Sequence, residues 1–246
     1  MNKGVNKTIR KSGHILKSDN IDNIFLILRH NKELLKHLTW VKSIQQYAFN
    51  LPMNNCMNSC NYSFKNNGTG VGYCVNSNDH RFNSAKRELN QKLINGKESI
   101  FLKTIILEIN KTNMKNIRIN SIGDFEFNKN GIKQYNKILN LTKRLSKVEF
   151  WLTTHNDFIL NSVYADKNQE IKNLSVQLSH PEPNGIWNNE LIKYWNNKNI
   201  SCTSTTRFKN RSNCDKSTHK TDGCDGCHKC NLLHNTVFYI HGKYGK

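Results

Sequence analysis

The fold class this sequence predicts is α/β. The reading is a partial (β/α) barrel of about six mostly parallel strands, with an N-terminal helical extension and a Cys-rich C-terminal metal module. Three observations predict it. Short runs rich in β-branched and aromatic residues alternate with amphipathic stretches of helical period. Strand centres near Ile119, Trp151, Val176 and Ser201 lie 32, 25 and 25 residues apart, the spacing of βαβ units. Each strand also runs into a polar tip: Asn120 with Asp124; Thr153, Thr154 and His155; Gln177, Ser179 and His180; Cys202, Thr203 and Ser204. Ligands of α/β folds bind at those carboxyl ends. An open doubly wound sheet is the alternative architecture.

The elements follow in order. Residues 1–17 are polar and basic without periodicity, and read as an arm. A helix is expected from Ser18, capped by Ser18 or Asp19, with a stripe of Ile21, Ile24, Phe25, Ile27, Leu28, Leu35 and Leu38. Residues 43–52 read as a strand, and 83–110 as a helix interrupted near Gly96. Strands are expected at 116–120, 148–154, 173–179 and 199–203, with a last one at 236–242. Helices separate them. One at 130–146 carries Ile132, Tyr135, Ile138, Leu139, Thr142 and Leu145 on one face. A short one follows Asp157, and another contains Trp187, Leu191, Tyr194 and Trp195, the two tryptophans reading as core. The division is 1–42 as basic arm and helix, 43–206 as core with the first cysteine cluster, and 207–246 as metal module and final strand.

Seven of the eight cysteines fall in two clusters. The basic start is not followed by an apolar run, and the IFLIL run at 24–28 is too short to span a bilayer. A reducing, intracellular setting without membrane insertion is therefore expected, where clustered thiols bind metal rather than form disulfides. The C-terminal set, Cys214, Cys224, Cys227 and Cys230, has the spacing C-x9-C-x2-C-x2-C. Steps of three suit a cluster-binding loop, and four thiolates close a metal completely. Iron–sulfur and zinc both remain open there. The upstream set, Cys56, Cys60 and Cys74, has the spacing C-x3-C-x13-C and only three thiolates. Three ligands leave a position open for chemistry. Cys202, within a strand, reads as a small buried hydrophobe. His14, His30 and His37 read as solvent-facing.

Taken together, these landmarks resemble the phage gene product 88 family. They are Leu51-Pro52 ahead of Cys56, the Tyr73-Cys74 pair, Gly123-Asp124-Phe125 after a strand, the strand Phe150 to Thr154, and the terminal cysteine set. The resemblance spans about residues 45–235. It departs at Cys74-Val75-Asn76, where the family has Cys-aromatic-Ala. It implies a phage-encoded protein of unassigned role in the cytoplasm of an infected host. A more distant similarity is to radical S-adenosylmethionine enzymes, which hold a four-iron cluster with C-x3-C-x-aromatic-C on a partial barrel. Here an insertion separates Cys56 and Cys60 from Tyr73-Cys74. That similarity implies a 4Fe–4S cluster on the three cysteines and S-adenosylmethionine beside Tyr73, Gly123 and Asp124. Asp124, Thr154, Gln177 and Ser204 would carry or line the chemistry. The C-terminal set would hold a second cluster or Zn2+.

The net charge of +19 and pI near 9.7 favour polyanions. Arg207, Lys209, Arg211, Lys216 and Lys220 cluster around the terminal cysteines. The second functional reading is thus a zinc-stapled nucleic-acid-binding protein. The competing account of the charge is A/T-rich codon usage, since lysine far exceeds arginine. A third reading, a nuclease, would use His155, Asp157, His180 and Glu182 to hold a divalent cation.

Overall fold

The computed structural model describes residues 35–41, 46–52, 55, 84–112, 115–121, 123–165, 171–182, 185–206, 212 and 236–239. They form one seven-stranded sheet with five helices. The strands are β1 (Leu38–Val41), β2 (Gln46–Phe49), β3 (Asn116–Ile119), β4 (Glu149–Thr154), β5 (Leu174–Ser179), β6 (Ile200–Thr206) and β7 (Thr236–Tyr239). The helices are α1 (Ser84–Asn95), α2 (Glu98–Thr112), α3 (Lys129–Arg144), α4 (Asp157–Val163) and α5 (Asn189–Asn196). The spatial order is the chain order, β1 to β7. β1 is antiparallel to β2, and every other pair is parallel. β1 and β7 form the two edges, so the sheet is open.

That order fixes the layering. A parallel crossover is right-handed, so a strand order that never reverses sends successive helices to the same face. A doubly wound sheet would reverse at a switch point, and this one does not. One register row crosses the helix-covered face: Phe49, Ile119, Leu152, Val176 and Ile200. All five belong to one core cluster, together with Phe101 of α2, Tyr135 of α3 and Leu160 of α4. Phe49 meets Phe101 edge-on at 5.8 Å between ring centres. Burying each such side chain contributes roughly 1.5–3 kcal/mol.

The opposite face is different. Its rows are Ala48, Arg118, Trp151 and Ser175; then Thr153, Gln177 and Ser201; then Ser179, Thr203 and Thr236. Gln177, Ser201, Thr203 and Thr236 are all buried. A parallel sheet covered on both faces ordinarily reads as unbroken hydrophobic runs. Here VQLS and ISCTS alternate instead, so this sheet has one apolar face and one buried polar face.

Two expectations are corrected. The helix proposed from Ser18 to Leu38 does not reach its end, because Leu38 begins β1 and pairs with Phe49. Residues 18–34 lie outside the described residues. Leu35 and Leu38 are buried as the stripe required, but two residues three apart fit a bend into a strand as well as a helix. His37 is buried, not solvent-facing. Its Nδ1 lies 2.9 Å from Asn90 Oδ1, and the Glu108 carboxylate accepts from the backbone N–H groups of His37 and Leu38. His14 and His30 are outside the described residues.

The remaining elements agree where they are described, with seven strands in place of about six; residues 43–45, 83 and 240–242 of the expected elements lie outside the described residues. The helix break near Gly96 separates α1 from α2. Asn128 caps α3, accepting from Asn130 N and Gly131 N at 2.7 and 3.1 Å. Trp187 and Trp195 are both buried, although Trp187 precedes α5 rather than lying on it. Cys202 is fully buried on the apolar face, and burial pushes its thiol up to about 12.

Candidate functional site

The turns after β2, β3 and β4 meet at the carboxyl edge of the sheet. Asn120 N donates to Phe49 O at 3.0 Å, so the end of β3 is pinned to the end of β2. Gly123 has φ +76, and a Cβ there would lie 2.0 Å from Leu51 O and 2.8 Å from Pro52 O. Only glycine allows both the left-handed backbone and that approach. The Gly123 turn therefore rests on the segment that leads, four residues beyond Pro52, to Cys56.

Asp124 is buried at the centre. Its Oδ1 accepts from Thr154 Oγ1 at 2.6 Å and from Phe125 N at 2.8 Å. Its Oδ2 accepts from His155 N at 2.8 Å and lies 4.0 Å from His155 Nδ1. Burial pushes its carboxyl up to about 6, against the opposing pull of the bonds from Thr154, His155 and Phe125. Thr154 Oγ1 in turn accepts from Asn156 N at 3.0 Å. The Asn156 side chain caps α4 through Ile159 N and donates to Phe125 O and Glu126 O. Asp124, Thr154 and Asn156 thus lock the β3 turn to the β4 turn.

His155 lies beside this lock. Burial, and then the charge of nearby His180, lower its pKa, so it is neutral at physiological pH. His180 packs edge-on against Trp187 at 4.9 Å, and its Nδ1 accepts from Glu182 N at 3.0 Å. Glu126 faces away, toward α1 and α3, where its carboxylate accepts from Gln91, Asn95, Asn128, Asn130 and Gln134. Burial opposes ionisation of Glu126, but those amides outweigh it and its pKa is lowered.

Of the residues singled out in the sequence, Gly123, Asp124 and Thr154 are brought together. Their mutual contacts make them a bracket, with three of the roughly four acceptor positions on Asp124 already taken. Gln177 lies on the polar face, where Thr153 Oγ1 donates to its Oε1 at 3.3 Å. Strand alternation puts Thr154 and Ser204 on the opposite, helix-covered face, so these three do not line one surface as expected. Tyr73, Cys56, Cys60, Cys74, Cys214, Cys224, Cys227 and Cys230 lie outside the described residues, as do the five basic residues around the terminal set. Among the described residues no three His, Cys, Asp or Glu side chains gather as a metal site, which removes support for the His155, Asp157, His180 and Glu182 cation site.

Asn120, expected only as part of a polar strand tip, and three residues given no site role complete the picture. Asn120 is 4% exposed with φ +56, and neither atom of its carboxamide has a hydrogen-bond partner. Gln46 Oε1, Trp151 Nε1 and Thr236 Oγ1 are likewise buried without a partner. By alternation all three lie on the polar face. The polar alternation of the strands was a signal for that face; the missing partners had none. Compared with known proteins, the chain matches no family model, no curated protein and no solved structure. Among the described residues no helix is long and apolar enough to cross a membrane.

Proposed function

We propose that this chain is a phage-encoded iron–sulfur enzyme of the radical S-adenosylmethionine type, resembling the gene product 88 family. The sheet would curve into a partial barrel with its polar face inward. Cys56, Cys60 and Cys74 would hold a 4Fe–4S cluster. The observation that carries the reading is the order of parts around a singly wound sheet. The segment leading to the three-cysteine set follows β2, the first parallel strand, and the Gly123-Asp124 turn follows β3 and touches that segment. The buried polar face supports it further, because buried groups without partners destabilise a fold unless a ligand satisfies them.

When bound, the cluster supplies the single electron that S-adenosylmethionine chemistry needs. The chain's own residues do the rest. Gly123 lets two turns approach, the Asp124–Thr154–Asn156 bracket holds their shape, and the polar face offers amides and hydroxyls to a ligand. Cys214, Cys224, Cys227 and Cys230 would close a second cluster or a structural Zn2+. Anaerobic purification with iron and sulfide analysis tests the reading. Iron and sulfide in similar amounts, a visible absorption band that bleaches on reduction, and reductive cleavage of S-adenosylmethionine are expected. A protein that takes up only zinc and leaves S-adenosylmethionine intact sinks it.

The net charge of +19 and the basic residues at 207–220 favour a second reading, a zinc-stapled nucleic-acid-binding protein. It requires a gel shift whose affinity falls steeply with salt. No shift at low salt removes it.

A further inference from the structure

We propose that Glu126 is a positioning residue for the three-cysteine set: through Gln91 it holds Asn55, the residue immediately before Cys56, and so directs the chain as it enters that set. The proposal deepens the reading just given and rests on it. The turn after β3 grips the segment after β2 at two places. Gly123 lies against the carbonyls of Leu51 and Pro52. Three residues further along the same turn, the Glu126 carboxylate accepts from Gln91 Nε2 at 2.6 Å. Gln91 Oε1 in turn accepts from Asn55 Nδ2 at 2.8 Å, three residues beyond Pro52. A single contact would let the segment swing, whereas two fix its direction. Asn55 N also donates to Pro52 O at 3.3 Å, which tightens the chain between the two points.

The chemistry gives the relay a direction. An ionised carboxylate only accepts, so Gln91 must turn its NH2 toward Glu126. Its Oε1 then faces the other way and needs a donor, which Asn55 supplies. The far end of the relay is held rigidly. Glu126 Oε1 also accepts from Asn95, Asn130 and Gln134 at 3.3, 2.9 and 2.9 Å, and its Oε2 from Asn128 at 3.2 Å. Its backbone is pinned as well: Glu126 N donates to Gln134 Oε1 at 3.2 Å, and Glu126 O accepts from Asn156 Nδ2 at 3.3 Å. Gly131 lets α3 come this close, since a Cβ there would overlap Glu126 O. Joining α1 to α3 accounts for the bonds from Asn95, Asn130 and Gln134. It leaves the bond from Asn55 to Gln91 unexplained, because Asn55 belongs to neither helix.

The test uses the full chain, loaded anaerobically with iron and sulfide, and reads each cysteine by alkylation and mass spectrometry. Asn55→Asp keeps the shape but sets an acceptor against Gln91 Oε1. Cys56, Cys60 and Cys74 should then alkylate about tenfold faster or more, and Cys214, Cys224, Cys227 and Cys230 at the native rate. Glu126→Gln, which removes the obligatory acceptor, should act in the same direction. Adding Gln91→Lys to Asn55→Asp places a donor between two carboxylates and should restore native protection. In the metal-free chain, hydrogen exchange at Asn55 should follow the same pattern, faster in the two single variants and restored in the double one. Native protection of the three cysteines in both single variants overturns the assignment. A double variant as unprotected as Asn55→Asp overturns it too. Loss of protection at both cysteine sets with a lowered melting temperature overturns it in favour of a structural role. A native chain whose three upstream cysteines gain no protection from iron instead overturns the functional reading. Unchanged exchange at Asn55 in both single variants overturns the relay whether or not iron binds.

Discussion

Asp124 and His155 carry opposite proton linkages within one contact. The carboxyl is raised from 3.8 to about 6, so the folded chain holds a proton there that the unfolded chain releases. That linkage adds stability below the ordinary carboxyl pKa and loses it as pH rises through about 6, on the order of 3 kcal/mol in all. The imidazole is lowered from 6.5 to about 4, which gives the reverse: stability is present above 6.5 and lost as pH falls. Between about pH 4 and 6 the folded and unfolded chains each hold one proton across the pair, on different residues, so the two slopes offset. Removing either partner should expose the other. His155→Gln should become less stable as pH rises through that window, and Asp124→Asn more stable. Urea denaturation across the window reads both slopes, and equal slopes in the two variants would refute the offset. His180, whose charge lowers His155, must be kept in both variants. At the neighbouring position, Gly123→Ala is strained by φ +76 and by the carbonyl oxygens of Leu51 and Pro52. It should cost at least about 1–3 kcal/mol in the same denaturation assay, and a neutral result would mean the turn relaxes freely.

The elements divide their work by face, and the polar face can be probed without touching the turns. Thr236 opens β7 and is 1% exposed, with an Oγ1 that has no partner. Thr236→Val keeps the shape and the β-branch while removing the stranded hydroxyl. The ligand-free chain should gain up to about 1 kcal/mol. A loss of similar size would show that the hydroxyl is bonded in solution and the face is structural. Much of this architecture could be read from sequence, because βαβ spacing and helical period are local signals. VQLS and ISCTS even recorded the polar face, although their alternation drew attention to the strand ends instead. Long-range facts left no local trace. β1 was hidden because LTWV is only four residues long and its Leu38 also completes an apolar stripe of helical spacing. The burial of His37 depends on Asn90 and Glu108, 53 and 71 residues away. Within the site, strand-end reasoning found Gly123, Asp124 and Thr154. It could not tell a carboxylate with three internal donors from one free to bind, nor find the unpaired carboxamide of Asn120, because both depend on which partners the fold supplies.

At the scale of the whole molecule, the two cysteine sets fall in different connections of the sheet. The first follows β2, where the polar turns converge, while the second lies in the crossover of residues 207–235 between β6 and β7. A parallel pair needs a long crossover, usually a helix that packs on the sheet. This one carries four cysteines and several basic residues in place of an apolar helical stripe. Closing so long a loop costs entropy, and among the described residues β7 returns a four-residue edge pairing with β6 and a bond from Ser212 Oγ to Val237 O at 2.8 Å. A metal drawing Cys214, Cys224, Cys227 and Cys230 together shortens the effective loop, so on the proposed reading metal binding and docking of β7 are linked. Cys227→Ser should therefore release β7: hydrogen exchange at residues 236–239 should quicken while β2 to β5 stay protected. Cys60→Ser should do the opposite, lowering iron content and leaving β7 protected, because on the proposed reading that set belongs with the turns after β2 and β3 rather than with the sheet edge. Mass-spectrometric exchange with metal analysis of both variants separates the outcomes. Variants that each lost the metal of both sets and the protection of β7 would mean that the seven cysteines form a single site, and the division into an open cluster and a structural one would fall.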